Sequence, residues 1–258
     1  MLASSYTAYG LFWAILIAVA ALEVFSPGRV DRKALGPRME VNFAFGLTTM
    51  ALLSLPLLSE FALAQLAQAR GWGLLNVLKL GPIWAIALSL LACDLCGYLF
   101  HRASHRLPWL WRFHRVHHSD SDMDLSTYFR SHPLEVMIAL AIKYALIIAL
   151  GLHPLALLLY GVTKQVTMTL GHANIVPRPR LSRLASTLFV SPAFHQIHHS
   201  AYRPETDSNY GEVMTIWDRL LGTMGRVEGP VARFGLGDAY DAEAASFKSQ
   251  LKLPFRAR

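Results

Sequence analysis

Two short windows, far apart in the chain, carry eight of its eleven histidines. The first runs His101-Arg-Ala-Ser-His105 and then His114-Arg-Val-His117-His118. The second is His195-Gln-Ile-His198-His199. Positions three or four apart share one face of an α-helix. His101 and His105 are therefore expected to point together, as are His114, His117 and His118, and again His195, His198 and His199. Imidazole is the commonest side-chain metal ligand and suits iron, zinc, copper and nickel. The fold has to account for three helical faces dense in imidazole.

The rest of the chain reads as a membrane protein. Hydrophobic residues make up 53% and charged residues only 16%, with long apolar runs. Tyr6 to Phe25 is a first span, with Glu23 near its end. The Lys and Arg that make the net charge +7 lie beside apolar segments, which points to cytoplasmic loops facing anionic lipid and not to nucleic acid. The loop with Arg29, Arg32, Lys33 and Arg38 is then cytoplasmic and the N-terminus outside. The first run lacks a basic start and an A-x-A-like site, so it reads as a span and not a leader. Val41 to Ala67 returns, with a bend expected at Pro56 and Glu60 near the far end. Gly81-Pro82 opens the third span, Ile83 to Phe100, which delivers His101 to the cytoplasmic side. Cys93 and Cys96 form a C-x-x-C inside it, and packed helix thiols are the simplest reading. Pro108-Trp109-Leu110-Trp111 suits a membrane interface.

Pro133 to Leu152 and Pro154 to Leu170 read as a transmembrane hairpin turned at Gly151-Leu152-His153-Pro154. His132 and His172 flank its cytoplasmic base, and His153 sits at its far tip. From Ala173 the chain is cytoplasmic, and the tail from Gly222 is expected to cover that domain. The fold class is all-α: a polytopic membrane protein with four to five transmembrane or membrane-embedded helices and a cytoplasmic, histidine-rich helical cap. The cap holds a dimetal centre on the following count. His101, His105, His114, His117, His118, His132, His172, His195, His198 and His199 are all expected at one membrane face. A transition ion commonly takes four to six ligands, so ten imidazoles suit two ions. Asp94, Asp124, Glu135 and Asp207 are candidate acceptors for the imidazole N–H groups. No H-E-x-x-H zinc-protease motif is present. The ligand types alone leave zinc and iron both open.

The order H-x-x-x-H, H-x-x-H-H, H-x-x-H-H resembles the membrane fatty acid hydroxylase and sterol desaturase superfamily. So do the flanks Leu110-Trp111-Arg112-Phe113-His114, Phe129-Arg130-Ser131-His132-Pro133-Leu134-Glu135, Gly171-His172-Ala173-Asn174, Asp207-Ser208-Asn209-Tyr210-Gly211 and Trp217-Asp218-Arg219-Leu220-Leu221-Gly222-Thr223. The resemblance spans roughly Asp94 to Thr223. It implies two non-haem iron ions held by the box histidines, with His172 as an additional ligand and His132 at a position that is His in part of the family. It further implies an enzyme that uses O₂ and two external electrons to hydroxylate or desaturate a C–H bond of a lipid. Attack on an unactivated alkyl C–H bond needs a redox-active metal, which zinc is not. On this reading residues 1–80 are N-terminal transmembrane helices, 81–224 the catalytic region and 225–258 a cytoplasmic tail.

The lipid substrate is expected from the bilayer, into an apolar slot between the hairpin and the third span. Electrons are expected from an external donor, a ferredoxin, a cytochrome b5-like protein or a reductase. No His-Pro-Gly-Gly stretch, iron–sulfur cysteine set or nucleotide-binding glycine motif lies in the chain. A bacterial inner membrane is the expected location, with the metal site on the cytoplasmic side. Three rivals remain: a membrane b-type cytochrome, a metal-binding or transport protein without redox catalysis, and a hydrolase or isomerase on the same dimetal frame. A transporter would place its ligands near mid-membrane, with intramembrane acids.

Overall fold

The computed structural model describes residues 2–28, 35–55, 59–175, 178–226, 229, 231–237, 240 and 243–256. Among them the protein is all-α, with no strands and three isolated bridges. Helices α1 (Leu2–Phe25) and α2 (Leu35–Leu53) are followed by α3 (Glu60–Arg70) and the single turn α4 (Leu74–Val77). The expected single crossing from Val41 to Ala67 is instead two helices. Ser59 caps α3 by accepting from the Ala62 N–H, and Glu60 opens its first turn, where a carboxylate is favoured by the helix dipole. The bend expected at Pro56 lies outside the described residues, as do Arg29, Arg32 and Lys33.

Helix α5 (Pro82–Arg106) starts with proline at its first turn and ends where Leu107 turns extended before Pro108. The residue before a proline is disfavoured in the helical region, so α6 (Pro108–His118) leaves in a new direction. Its buried face carries Trp111, His114, His117 and His118. A 3₁₀ turn, Leu125–Phe129, is closed by a reciprocal Asp124–Thr127 cap. Then come α7 (Pro133–Leu150) and α8 (Pro154–His172), joined at the expected turn; α3 packs against both, and of the two only α7 is long and apolar enough to cross a bilayer, short of the transmembrane hairpin expected. Gly151 ends α7 in the left-handed conformation that glycine adopts without strain. His132 and His153 open the two hairpin helices in the same way, each accepting through Nδ1 from the N–H two residues on, at 3.2 Å. His153 thus has a capping role at the tip. Short helices α9 (Pro179–Ala185), α10 (Pro192–His198), α11 (Arg203–Thr206), α12 (Ile216–Leu220) and α13 (Phe247–Lys252) follow among the described residues, with a 3₁₀ turn at Leu253–Phe255 after the last.

Helices α5 and α7 are long and apolar enough to cross a bilayer, about 37 Å and 27 Å at 1.5 Å per residue. They do not hide their apolar side chains: Ile83 is 79% and Trp84 67% exposed, and Leu88, Leu91, Leu99, Leu134, Ile142 and Ile148 are exposed too. Such a surface suits hydrocarbon and places the chain in a membrane. Helices α2 and α8 do not reach the same hydropathy, and the described apolar part of α1 runs only Gly10–Phe25. In α8, Lys164, Gln165 and three threonines interrupt the run.

Helix α8 packs on α5, α3 and α10, while α2 packs on the 3₁₀ turn. Polar contacts lock this layer. Glu23 of α1 accepts from the backbone N–H groups of Leu125 and Asn174, both at 2.6 Å. Arg38 of α2 pairs with Asp120 at 2.8 Å and with Asp124. The tail covers α6, as expected. Gln250 accepts from the Ser119 hydroxyl at 2.6 Å, and the Leu253 carbonyl accepts from Arg115.

Candidate metal centre

Nine of the ten expected ligands converge. His101, His105, His114, His118 and His198 form one group, and His117, His172, His195 and His199 another; within each group the candidate ligand atoms lie within 4.8 Å of one another. All nine side chains are buried. His132 joins neither group. Its Nδ1 caps α7 and its Nε2 lies 3.3 Å from the Leu251 carbonyl.

The partition differs from the expected shared faces, and the difference has a geometric cause. In the first H-x-x-H-H box, the i,i+4 pair His114 and His118 serves the first group, while His117 turns to the second. In the second box, the i,i+4 pair His195 and His199 serves the second group, while His198 turns to the first. Consecutive residues on a helix point about 100° apart, so each box straddles both groups. The groups abut through these neighbours: the rings of His118 and His199 stack at 4.4 Å, and those of His195 and His198 stack at 5.4 Å. Gly171 allows the close approach of α10 to α8, since a Cβ there would stand 3.1 Å from that of His195.

Hydrogen bonds on the outer nitrogens set the tautomers. His101 Nδ1 donates to the Tyr210 carbonyl at 2.8 Å, His117 to Arg130 at 3.1 Å, His172 to Met168 at 2.7 Å and His198 to Ser208 at 2.7 Å. A carbonyl only accepts, so each of these Nδ1 atoms carries its proton and each Nε2 presents a lone pair inward. His117 Nε2 and His172 Nε2 then face each other at 3.1 Å with no proton to share. Two lone pairs at that distance repel unless a cation lies between them. Nε2 of His105, His198 and His199 likewise has no hydrogen-bond partner, against the near-universal pairing of buried polar atoms. Burial, reinforced by neighbouring imidazoles, pushes His117, His118, His195 and His199 well below the usual histidine range. They are neutral at pH 7, the form that binds metal. The donor set fits two transition ions, one with five imidazoles available and one with four.

Of the four candidate acceptors, one hydrogen-bonds an imidazole and a second comes near one without a hydrogen bond. Glu135 Oε1 lies 2.5 Å from His114 Nδ1, and Asp207 Oδ1 lies 3.4 Å from His105 Nδ1. Asp94 instead accepts from the Trp217 indole at 2.7 Å, and Asp124 holds the 3₁₀ turn and Arg38. Asp218 accepts from the backbone N–H groups of Tyr210 and Gly211, both at 2.8 Å, which aims the Tyr210 carbonyl at His101. Trp111 is not at an interface. It is buried, with its ring 5.1 Å from His105 and 5.6 Å from His118.

A cavity of about 420 Å³ lies beneath the histidines, walled by α5 and the hairpin as expected, and also by α2. Tyr128 and Phe129 line it together with His101, His114, His117, His172 and His195. A mainly apolar groove of about 550 Å³ runs between α1 and α2, and Gly46, Met50 and Phe129 line both spaces. Sequence reasoning missed Glu212, which reaches this cavity with Lys164, Lys143 and Glu60. The signal was present in the two lysines, charges inside otherwise apolar runs.

These features define a helical membrane protein with two buried imidazole groups, each able to hold a metal ion above a lipid-sized cavity. The chain belongs to the fatty acid hydroxylase family, whose model matches residues 86–223. It is 33% identical over 139 residues to the ornithine lipid hydroxylase OlsE of Rhizobium tropici, covering 54% of this chain and 41% of that protein. It is 27% identical over 208 residues to the alkylglycerol monooxygenase of Danio rerio, covering 73% and 42%. Against a cholesterol 25-hydroxylase-like protein of Danio rerio it is 29% identical over 147 residues, covering 55% and 56%. The chain thus spans about two fifths of the length of the first two. No solved structure matches significantly.

Proposed function

We propose that the chain is a membrane-bound di-iron oxygenase that uses O₂ and electrons from an external carrier to hydroxylate, or desaturate, a C–H bond of a lipid. The observation that carries this reading is the pair of inward Nε2 lone pairs of His117 and His172, 3.1 Å apart, within two all-imidazole groups. Family membership and the relatives' names, all lipid hydroxylases or monooxygenases, support a lipid substrate. Iron, when bound, supplies the redox chemistry by which O₂ is activated; hydroxylation consumes two electrons and two protons and releases water.

The chain's own residues supply the rest. His101, His105, His114, His118 and His198 hold one ion, and His117, His172, His195 and His199 the other. Glu135 and the carbonyls of Arg130, Met168, Ser208 and Tyr210 orient the rings. The cavity excludes bulk water and presents the lipid beneath both groups. His132 is assigned to capping. Electrons come from a ferredoxin, a cytochrome b5-like protein or a reductase. The metal site faces the cytoplasm of a bacterial inner membrane, a topology supported by Arg102, Arg106 and Arg112 around it.

The test is metal content per chain in detergent, on protein never exposed to chelator or nickel resin, followed by O₂ uptake with reductant and lipid. About two irons per chain and lipid-dependent O₂ uptake are expected. One metal or none in folded protein, or iron-loaded protein inert toward O₂ with every lipid class, overturns the reading.

A further inference from the structure

The cavity beneath the histidines is not a plain hydrocarbon slot. Eight residues separate Glu135 from Lys143 on α7, and Lys164 from His172 on α8, about 12 Å along each helix axis. Both lysines therefore branch from the backbone about two turns from the residues that meet the histidine groups. Each has a partner: Lys143 Nζ lies 2.5 Å from Glu60 Oε2, and Lys164 Nζ 2.7 Å from Glu212 Oε2. The Tyr160 hydroxyl stands 3.4 Å from the same Glu212 oxygen. Gly97 of α5 makes room for this carboxylate, because a Cβ there would collide with Glu212. All four charged side chains line the cavity. Two further polar atoms on its wall, Thr49 Oγ1 and Glu135 Oε2, have no hydrogen-bond partner. Charges in membrane helices are costly and mark substrate paths, and buried polar atoms without a partner are rare enough to need an explanation.

We propose that these paired charges form a recognition site for a neutral hydrogen-bonding group of the lipid, a hydroxyl or an amide, and that they discriminate against a free carboxylate. The proposal rests on the lipid-oxygenase reading and names the substrate class within it. The two lysines are already matched one to one by glutamates. A carboxylate would bring an unmatched negative charge into a low-dielectric cavity. A bare hydrocarbon would strip water from four charged groups and return no hydrogen bond. A hydroxyl or amide donates to a glutamate, accepts from a lysine and leaves the charge balance intact. The carbon presented to the histidine groups then lies well along the chain from that head group.

The test is binding to the full chain in detergent, read by native mass spectrometry without O₂ or reductant. The probes share one chain length: hexadecan-1-ol, hexadecanamide, palmitate and hexadecane. The alcohol and amide should bind about tenfold or more tighter than the other two. Glu212→Gln keeps the side-chain shape but frees the Lys164 ammonium, so palmitate should gain about tenfold or more relative to the alcohol. Ion pairs that only brace the helices would weaken all four probes alike. Equal binding of the four by the unmodified chain overturns the proposal, as does a preference for palmitate or hexadecane, or a folded Glu212→Gln variant with unchanged order. Should that variant not fold, the probe order of the unmodified chain decides alone. No turnover is involved, so a failed oxygenase assay leaves the binding result standing. A failed probe order equally leaves O₂-dependent oxidation of some other lipid untouched.

Discussion

Glu135 Oε1 lies 2.5 Å from Nδ1 of His114, joining the start of α7 to the end of α6. The carboxylate orients the ring and fixes the tautomer with Nδ1–H outward and Nε2 facing the group. Glu135→Gln preserves size and loses the charge. Metal affinity of the five-histidine group should fall roughly 10- to 100-fold, with the other group little changed. Competition against a chelator of known affinity measures this, and an unchanged affinity removes Glu135 from the role.

His198 and His199 are chain neighbours assigned to different groups. His199→Ala should therefore leave about one tightly held metal per chain, while His198→Ala, which leaves four imidazoles in its group, should weaken one ion without emptying its site, because each change strips a ligand from one ion only. Elemental analysis after dialysis counts the metals. Loss of both from either single variant would show one shared site instead.

The pH dependence follows from the neutral imidazoles. Burial holds His117, His118, His195, His198 and His199 well below the histidine range in the folded state, whereas in the unfolded chain they titrate near 6.5. Below about pH 6.5 the unfolded state binds more protons, so stability falls as pH falls. Metal-free protein should melt at a clearly lower temperature at pH 5.5 than at pH 7.5. Bound metal should raise the melting temperature at pH 7.5 and be released on acidification. A flat profile of melting temperature against pH in the metal-free protein contradicts the burial argument.

Arg130 is fully buried and donates to the Val116 and Ala244 carbonyls, the Ser119 hydroxyl and Asn42 Oδ1. It ties α6, α2 and the tail together, while its own carbonyl holds His117. Arg130→Ala strands these acceptors and should destabilise by about 3 kcal/mol or more. Arg130→Lys should recover only part of this, since an ammonium cannot reproduce the planar fork. Denaturant melts in detergent supply the comparison.

Much of this architecture is local and could be read from the chain. The hairpin follows from two apolar runs punctuated by His132-Pro133, Gly151 and His153-Pro154. Pro82 and Pro108 bracket α5, and the histidine windows announce a metal site. Other features were not legible. The Val41 to Ala67 run hides a helix start at Ser59, because its apolar composition continues across the break. Trp111 has the composition of an interface anchor and is buried against imidazoles instead. His132 looks like its companions in sequence, yet backbone capping claims its Nδ1.

Residue type and helical spacing by themselves determined that this chain is helical, membrane-bound and rich in clustered imidazoles, because apolar length and the 3.6-residue period act within a few turns. Only the tertiary structure decided which imidazole joins which group. A helix sends His117 and His118 about 100° apart, and what each one meets depends on where α5, α8 and α10 cross α6. The same packing set Glu212 against Lys164 from 48 residues away. Long-range contact of this kind has no period to reveal it in one sequence.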